Sequence, residues 1–118
     1  MKLFVDRETA DFIINDRSIG DIITVELMEK AVLEVKTLGS GVKIPTTTFK
    51  VLITESCDIQ QYEAYLSTSS RMVGPLLLRE LEIGKPATLA VAKYATARHA
   101  WNSFTVNGRD PYAGTRVR

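Results

Sequence analysis

The chain of 118 residues contains a single cysteine, a single histidine and a single tryptophan. One cysteine cannot form a disulfide within the chain, which is compatible with a reducing compartment. One histidine and one cysteine cannot complete a tetrahedral zinc site without carboxylates, and no spacing of such residues indicates a metal. We therefore expect neither a metal nor another cofactor.

Long apolar runs are also missing. No run approaches the roughly 20 residues that a membrane-spanning helix needs, and acidic residues occupy the positions where a signal peptide would be apolar. We expect a cytoplasmic protein with no membrane partner. The apolar fraction of 45% and the charged fraction of 25% are typical of a folded globular chain.

The residues that catalysis requires are sparse. The glycine-rich segment Gly39–Gly41 is not followed by the Lys-Ser or Lys-Thr pair of a phosphate-binding loop. Cys57 and His99 could act as nucleophile and base only if separate predicted strands brought them together. No pair of carboxylates indicates acid–base chemistry. We expect that the protein is not an enzyme, and an enzyme of unspecified class is the least favoured alternative.

Charge is distributed unevenly along the chain. Residues 1–83 carry 9 Lys/Arg and 13 Asp/Glu, a net charge of −4, whereas residues 84–118 carry 6 Lys/Arg and 1 Asp, a net charge of +5. This asymmetry indicates either one positively charged surface or two oppositely charged halves that meet in the fold.

An alternating pattern extends from Ile22 to Lys36, where apolar residues recur at the odd-numbered positions. The same phase persists on both sides of Glu29 and Lys30, which predicts one long bent strand or two short ones. A helix competes, because Glu, Leu, Met and Lys favour helices. The persistent phase and the preceding Gly20-Asp21 turn favour the strand.

The remaining pattern predicts four more strands and one helix. The helix begins near Gly74-Pro75, has Leu77, Leu78 and Leu81 as its apolar stripe, and ends at Gly84. The predicted strands cover residues 46–54, 61–67, 87–94 and 100–106.

This order of elements resembles the OB-fold of single-stranded nucleic-acid-binding proteins, over about Gly20–Gly108. The passage LRELEIGKPATLAV (Leu78–Val91), in which a helix ends in a glycine and leads into an apolar strand, carries the resemblance locally. It implies a mainly β fold: a five-stranded antiparallel OB-like barrel with a helix between strands 3 and 4. The barrel would cover residues 21–108, after an N-terminal arm or extra strand or helix (1–20) and before a basic tail (109–118).

The resemblance also implies where a nucleic acid would bind, because OB barrels use the face of strands 2 and 3 and the loops joining strands 1–2 and 4–5. Basic side chains there would neutralise phosphates and aromatic rings would stack on bases. These elements contain Lys36, Lys43, Lys50, Tyr65, Lys93, Tyr94, Arg98, His99 and Trp101.

Alternation assigns the faces of these strands. Phe104 and Val106 belong to the more apolar face of the last strand and should lie in the core. Trp101 would then point outward together with Ser103 and Thr105; the alternative is a core position, because tryptophan is highly buried on average. The same reasoning places Tyr65 outward with Glu63, and Lys50 outward with Thr48.

We therefore expect a non-catalytic protein that binds single-stranded DNA or RNA with low sequence specificity. The alternative is a small protein-interaction or structural module, such as a virion, assembly or inhibitor subunit, with the Trp101 region as its interface, because aromatic residues and arginine are enriched in interface hot spots. We also expect a homo-oligomer, formed as a dimer or by cooperative binding, whose first strand or N-terminal arm supplies the edge.

Overall fold

The computed structural model describes residues 1–58 and 60–117, which form nine β-strands and one α-helix. The mainly β fold with one short helix is confirmed. The elements are β1 (Leu3–Val5), β2 (Phe12–Ile14), β3 (Arg17–Ser18), β4 (Ile22–Leu27), β5 (Val32–Thr37), β6 (Lys43–Glu55), β7 (Tyr62–Thr68), α1 (Val73–Glu80), β8 (Pro86–Ala95) and β9 (Ala100–Val106).

The larger sheet has the order β5-β6-β4-β8-β9, and β7 also pairs with β6. Strands β4 and β5 both pair antiparallel with β6, from Thr24 opposite Glu55 to Thr37 opposite Lys43. The prediction of one bent strand or two short ones over Ile22–Lys36 is therefore confirmed, and the helical alternative is wrong. The alternating apolar residues of β4 are buried along one face, an arrangement that extended backbone provides.

The five-stranded barrel is not confirmed, because no ladder closes the sheet between β7 and β9 in the part of the chain that the structure describes. Strand β1 lies at this seam instead. Lys2 forms a parallel bridge with Tyr65, whose N–H donates to the Met1 carbonyl at 2.7 Å. On the other side, the Asn102 amide donates to the carbonyls of Asp6 and Arg7 at 3.2 and 3.0 Å.

The N-terminal residues form a small antiparallel sheet of their own, in the order β1-β2-β3. Asn15 and Asp16 connect β2 to β3, and both have positive φ (50° and 62°), as a two-residue type I′ hairpin turn requires. Phe12 and Ile14 of this sheet are buried in the main hydrophobic core. Residues 1–20 thus add strands to the fold and cover part of its core.

Helix α1 lies between β7 and β8, where the sequence places it. Its first backbone N–H groups are satisfied by Ser70, whose Oγ accepts from Met72 and Val73 at 3.1 Å each. Leu77 and Leu81 are buried as predicted, but Leu78 is exposed and Leu76 takes the buried position. The helix ends at Glu80, before Gly84, because Leu81 already has extended backbone.

The chain after β9 folds back along β8. The Ala95 N–H donates to the Thr115 carbonyl at 2.9 Å, and the Val117 N–H donates to the Lys93 carbonyl at 2.8 Å. These bonds use the edge of β8 that β4 leaves free beyond Ala90. The C-terminal segment therefore extends the sheet along this edge of β8, and its Tyr112 packs against Tyr94 and Trp101 on the outward face of β8 and β9.

Candidate nucleic-acid interface

Four aromatic rings lie together at the end of the β8–β9 ladder. Tyr94 and Trp101 are cross-strand partners, and their rings are nearly parallel with centroids 6.0 Å apart. His99 lies parallel to Trp101 at 5.3 Å, with an interplanar angle of 14°. Tyr112, from the C-terminal segment, meets Trp101 edge-on at 5.2 Å and Tyr94 at 5.1 Å. We call Tyr94, His99, Trp101 and Tyr112 the aromatic cluster.

The faces predicted for β9 are only partly correct. Phe104 and Val106 lie in the core, as predicted. The opposite face was expected to be open, but Ser103 and Thr105 are buried and Trp101 is half-buried. Alternation cannot reveal this, because the pattern of β9 alone does not show that the segment after it folds back and packs Tyr112 against Trp101.

A cavity of about 570 Å³, which we call the Trp101 cleft, opens beside the aromatic cluster. Arg7, Lys93 and His99 line it together with Trp101, and the described residues of its wall include no carboxylate. A positively charged pocket with an aromatic wall can accept an anionic ligand that also carries a flat ring.

The Trp101 cleft continues into the seam between β1 and β9. A second cavity of about 210 Å³ shares Val5, Trp101 and Asn102 with the cleft and extends to Ser67 and Ser70. Trp101 therefore faces both spaces. Its Nε1–H is buried and has no hydrogen-bond acceptor among residues 1–58 and 60–117.

A second basic and aromatic surface lies on the outer face of β6, β7 and β1. Lys50 is directly opposite Tyr65, and Tyr65 is bridged to Lys2. Alternation along β1 places Phe4 on the same face as Lys2. Tyr65 and Phe4 are 45% and 43% exposed. We call Lys2, Phe4, Lys50 and Tyr65 the outer strip.

The outer strip has a defined end on the larger sheet. Beyond Lys50, the next outward residue of β6 is Leu52, which lies between Glu26 of β4 and Glu63 of β7. These carboxylates would repel a phosphate backbone, and Asp16 lines the small cavity beside Lys2 and Phe4, so acidic side chains border the outer strip at both ends. The register confirms the predicted outward orientation of Tyr65 and Lys50; Tyr65 is exposed and Lys50 is half-buried.

The structure separates the sequence-predicted site residues into groups. Lys93, Tyr94, His99 and Trp101 come together at the cleft. Lys50 and Tyr65 lie on the outer strip, Arg98 lies in the exposed β8–β9 turn, and Lys36 and Lys43 lie on the exposed hairpin formed by β5 and the first half of β6.

Sequence reasoning missed Arg7 and Asn102 in the cleft, and Lys2 and Phe4 on the outer strip. The interleaving of basic and apolar residues in KLFVDR (Lys2–Arg7) was a usable signal for Lys2, Phe4 and Arg7. Nothing local indicates Asn102, because its place depends on hydrogen bonds to residues near the other end of the chain.

Tyr94 supports the aromatic cluster from below. Its side chain is 1% exposed, and its hydroxyl donates to Asp110 Oδ1 at 2.7 Å. Arg116 Nη1 lies 3.5 Å from the same oxygen. Burial, and next the hydrogen bond to Asp110, raise the pKa of Tyr94 above its usual value. We therefore assign Tyr94 to the support of Trp101 and not to ligand contact.

The raised pKa of Tyr94 predicts a loss of stability in alkali. Above about pH 10 an unfolded tyrosine ionises while folded Tyr94 keeps its proton, so unfolding releases a proton. We expect the stability advantage of wild type over Tyr94→Phe to shrink by up to about 1.4 kcal/mol per pH unit above pH 10. Urea unfolding between pH 8 and 12 measures this. Parallel stability curves for the two proteins would contradict the assignment.

No protein-family model, curated protein or solved structure matches the chain. Within residues 1–58 and 60–117, no group of three or more His, Cys, Asp or Glu side chains is arranged to hold a metal ion. The helix in this part of the chain is too short to cross a membrane. The function must therefore be inferred from the charge, shape and exposure of the surfaces described above.

Proposed function

We propose that the protein binds single-stranded nucleic acid, DNA or RNA, with little sequence preference and without catalysis. The observation that carries this proposal is the Trp101 cleft, in which Arg7, Lys93 and His99 surround an aromatic wall and no described wall residue is acidic. Single-strand binders combine such basic surfaces, which neutralise phosphates, with aromatic faces on which any base can stack.

The stacking surface in this proposal is the pair of parallel rings formed by His99 and Trp101. His99 is exposed, whereas Trp101 is held from the other sides by Tyr94 and Tyr112. A base that enters the cleft contacts this pair, and Arg7 and Lys93 contact the adjoining phosphates.

The bound nucleic-acid strand continues from the cleft to the outer strip. Phe4 of the outer strip and Trp101 of the cleft both line the cavity in the seam between β1 and β9. Phe4 and Tyr65 then offer two further exposed rings, and Lys2 and Lys50 offer two further cations. The cleft and the outer strip together provide a binding surface longer than one nucleotide.

The connectivity supports the same proposal. The combined β4–β5 strand lies beside β6 and β8, α1 separates β7 from β8, and β9 follows β8. This order resembles that of OB folds, and we propose that β1 takes the place at which β7 and β9 would otherwise meet. The exposed face of β6 and β7 then corresponds to the ligand-binding face of OB folds.

Trp101 is the only tryptophan, so its fluorescence reports directly on the cleft. We expect oligo-dT and oligo-dA to quench it, and a duplex of equal length to do so much less. With four phosphates neutralised, raising the salt from about 50 to about 500 mM should lower the affinity roughly 600-fold. A blue-shifted emission that ignores all oligonucleotides would refute the proposal and favour a protein interface at Trp101.

Removing two cleft cations should reduce the salt dependence. For Arg7→Ala/Lys93→Ala, we expect the slope of log affinity against log salt to become shallower by about 1.4, or 0.7 per lost phosphate contact. Arg79→Ala/Lys85→Ala is the matched control, because these side chains lie away from the cleft beside Glu80 and Glu82. Equal slopes for both double variants would show that the cleft does not contact phosphates.

A further inference from the structure

The hairpin formed by β5 and residues 43–48 of β6 projects an unusually apolar surface. Every residue of β5 is exposed. Leu33 and Val35 are 73% and 61% exposed, and Val32, Leu38 and Val42 are each about half exposed. Isolated exposed apolar residues are common, but five on the two faces of one hairpin indicate an element that another molecule covers.

Strand β5 is also an edge of the sheet. Among the described residues it pairs with β6 alone, so the backbone groups along its other side have no strand partner. The strand has six residues and no proline, and its only charges are Glu34 and Lys36. Proteins usually protect such an edge with bulges, prolines or several charges, because an unprotected edge pairs with another strand.

We infer that β5 pairs antiparallel with β5 of a second copy of this chain, about a two-fold axis that passes through Val35. In this register Val35 lies opposite Val35 of the second copy. Glu34 lies opposite Lys36 of the second copy, and by symmetry Lys36 lies opposite its Glu34. Leu33 faces Thr37, and Val32 faces Leu38. This strand pairing joins the larger sheets of the two copies into one.

Charge complementarity selects this register over its neighbours. An axis at Glu34 would place two glutamates directly opposite each other, and an axis at Lys36 would do so with two lysines. Like charges in directly opposed positions destabilise a strand pair, whereas opposite charges stabilise it. An axis between residues would pair Glu34 with an apolar or uncharged position and invert the faces of one copy relative to the other.

The same self-complementarity favours a second copy over an unrelated partner. Because both ion pairs are generated from Glu34 and Lys36 of one sequence, the edge is complementary to itself, as an interface with two-fold symmetry requires. A single strand pair with the adjoining apolar side chains is a small interface. We therefore expect a reversible dimer with a dissociation constant in the micromolar range.

This inference is independent of the proposed function, because neither Glu34 nor Val35 lies in the Trp101 cleft or the outer strip. It gives Lys36 a different role from the one that the sequence predicts. It also implies that the dimer carries two nucleic-acid surfaces, so one long strand could contact both and gain avidity.

Charge exchange at the axis provides the test. In sedimentation velocity, the sedimentation coefficient of wild type should increase with protein concentration, because dimers form. Glu34→Lys and Lys36→Glu should each raise the dissociation constant tenfold or more, because each sets like charges opposite each other twice. An equimolar mixture of the two variants should recover dimers, since both opposed pairs then carry opposite charges.

Disulfide trapping tests the position of the axis. Directly opposed Cα atoms of antiparallel strands are about 4.5–5.5 Å apart, within the range that a disulfide spans. In a Cys57→Ser background, Val35→Cys should form covalent dimers on oxidation, and Ile83→Cys, which is also well exposed, should not. A monomer at all concentrations, no recovery in the mixture, or equal cross-linking at both positions would overturn the inference.

Discussion

Replacing Trp101 with alanine is expected to weaken the binding of a single-stranded oligonucleotide by about 5- to 150-fold. Stacking of a base on an aromatic side chain contributes roughly 1–3 kcal/mol, and this range corresponds to that loss of affinity. Trp101 is the ring that lines both the cleft and the adjoining seam cavity. Its removal also deprives His99 of the surface against which it lies.

Fluorescence anisotropy of a dye-labelled oligo-dT at fixed salt measures this effect without using tryptophan emission. Trp101→Phe is the control, because it keeps an aromatic face and should retain most of the affinity. Circular dichroism must show that the alanine variant is folded, since Trp101 also contacts Tyr94 and Tyr112. A folded Trp101→Ala protein with wild-type affinity would remove the cleft from the binding surface.

Replacing Phe12 with alanine is expected to lower the free energy of unfolding by about 3–5 kcal/mol, the usual cost of deleting a fully buried phenylalanine ring. Phe12 is completely buried, and its ring lies 5.9 Å from that of Phe104 in β9. The substitution leaves a cavity where the N-terminal sheet meets the main core. Thermal unfolding should show a decrease in Tm of more than about 10 °C.

Phe4 provides a matched control within the same small sheet. It pairs with Ile13 one residue along from Phe12, but its side chain is 43% exposed. We expect Phe4→Ala to cost about 1 kcal/mol or less, because little apolar surface leaves a buried site. Equal destabilisation by the two alanine variants would mean that the faces of the N-terminal sheet are assigned wrongly.

Much of the strand content could be predicted from the sequence, because alternation is a local property of extended backbone. The odd-numbered apolar positions of β4 correctly indicate its buried face, and the even-numbered apolar positions of β9, Phe104 and Val106, lie in the core as predicted. The helix position follows from Gly74-Pro75 and the leucines behind it, although the choice between Leu76 and Leu78 as the buried residue depends on how the helix rotates against the sheet.

The candidate site could be predicted only in part. Lys93, His99 and Trp101 are close in sequence or adjacent through a hairpin, so a local pattern can bring them together. Arg7 reaches the cleft from the N-terminal segment, which Asn102 holds by two hydrogen bonds across the seam. Tyr94 changes from an expected stacking residue to a buried support because Asp110 and Tyr112 fold over it.

The sequence by itself determined which segments after residue 20 are extended, which faces of those segments are apolar, and that the excess of positive charge lies toward the C-terminal end. Only the tertiary structure decided that β1 lies in the seam between β7 and β9, that the C-terminal segment covers the second face of β8 and β9, and that the cleft opens between them. The physical reason is range: side-chain alternation is set by neighbouring residues, whereas the pairing of a free strand edge is settled by competition among segments distant in the chain.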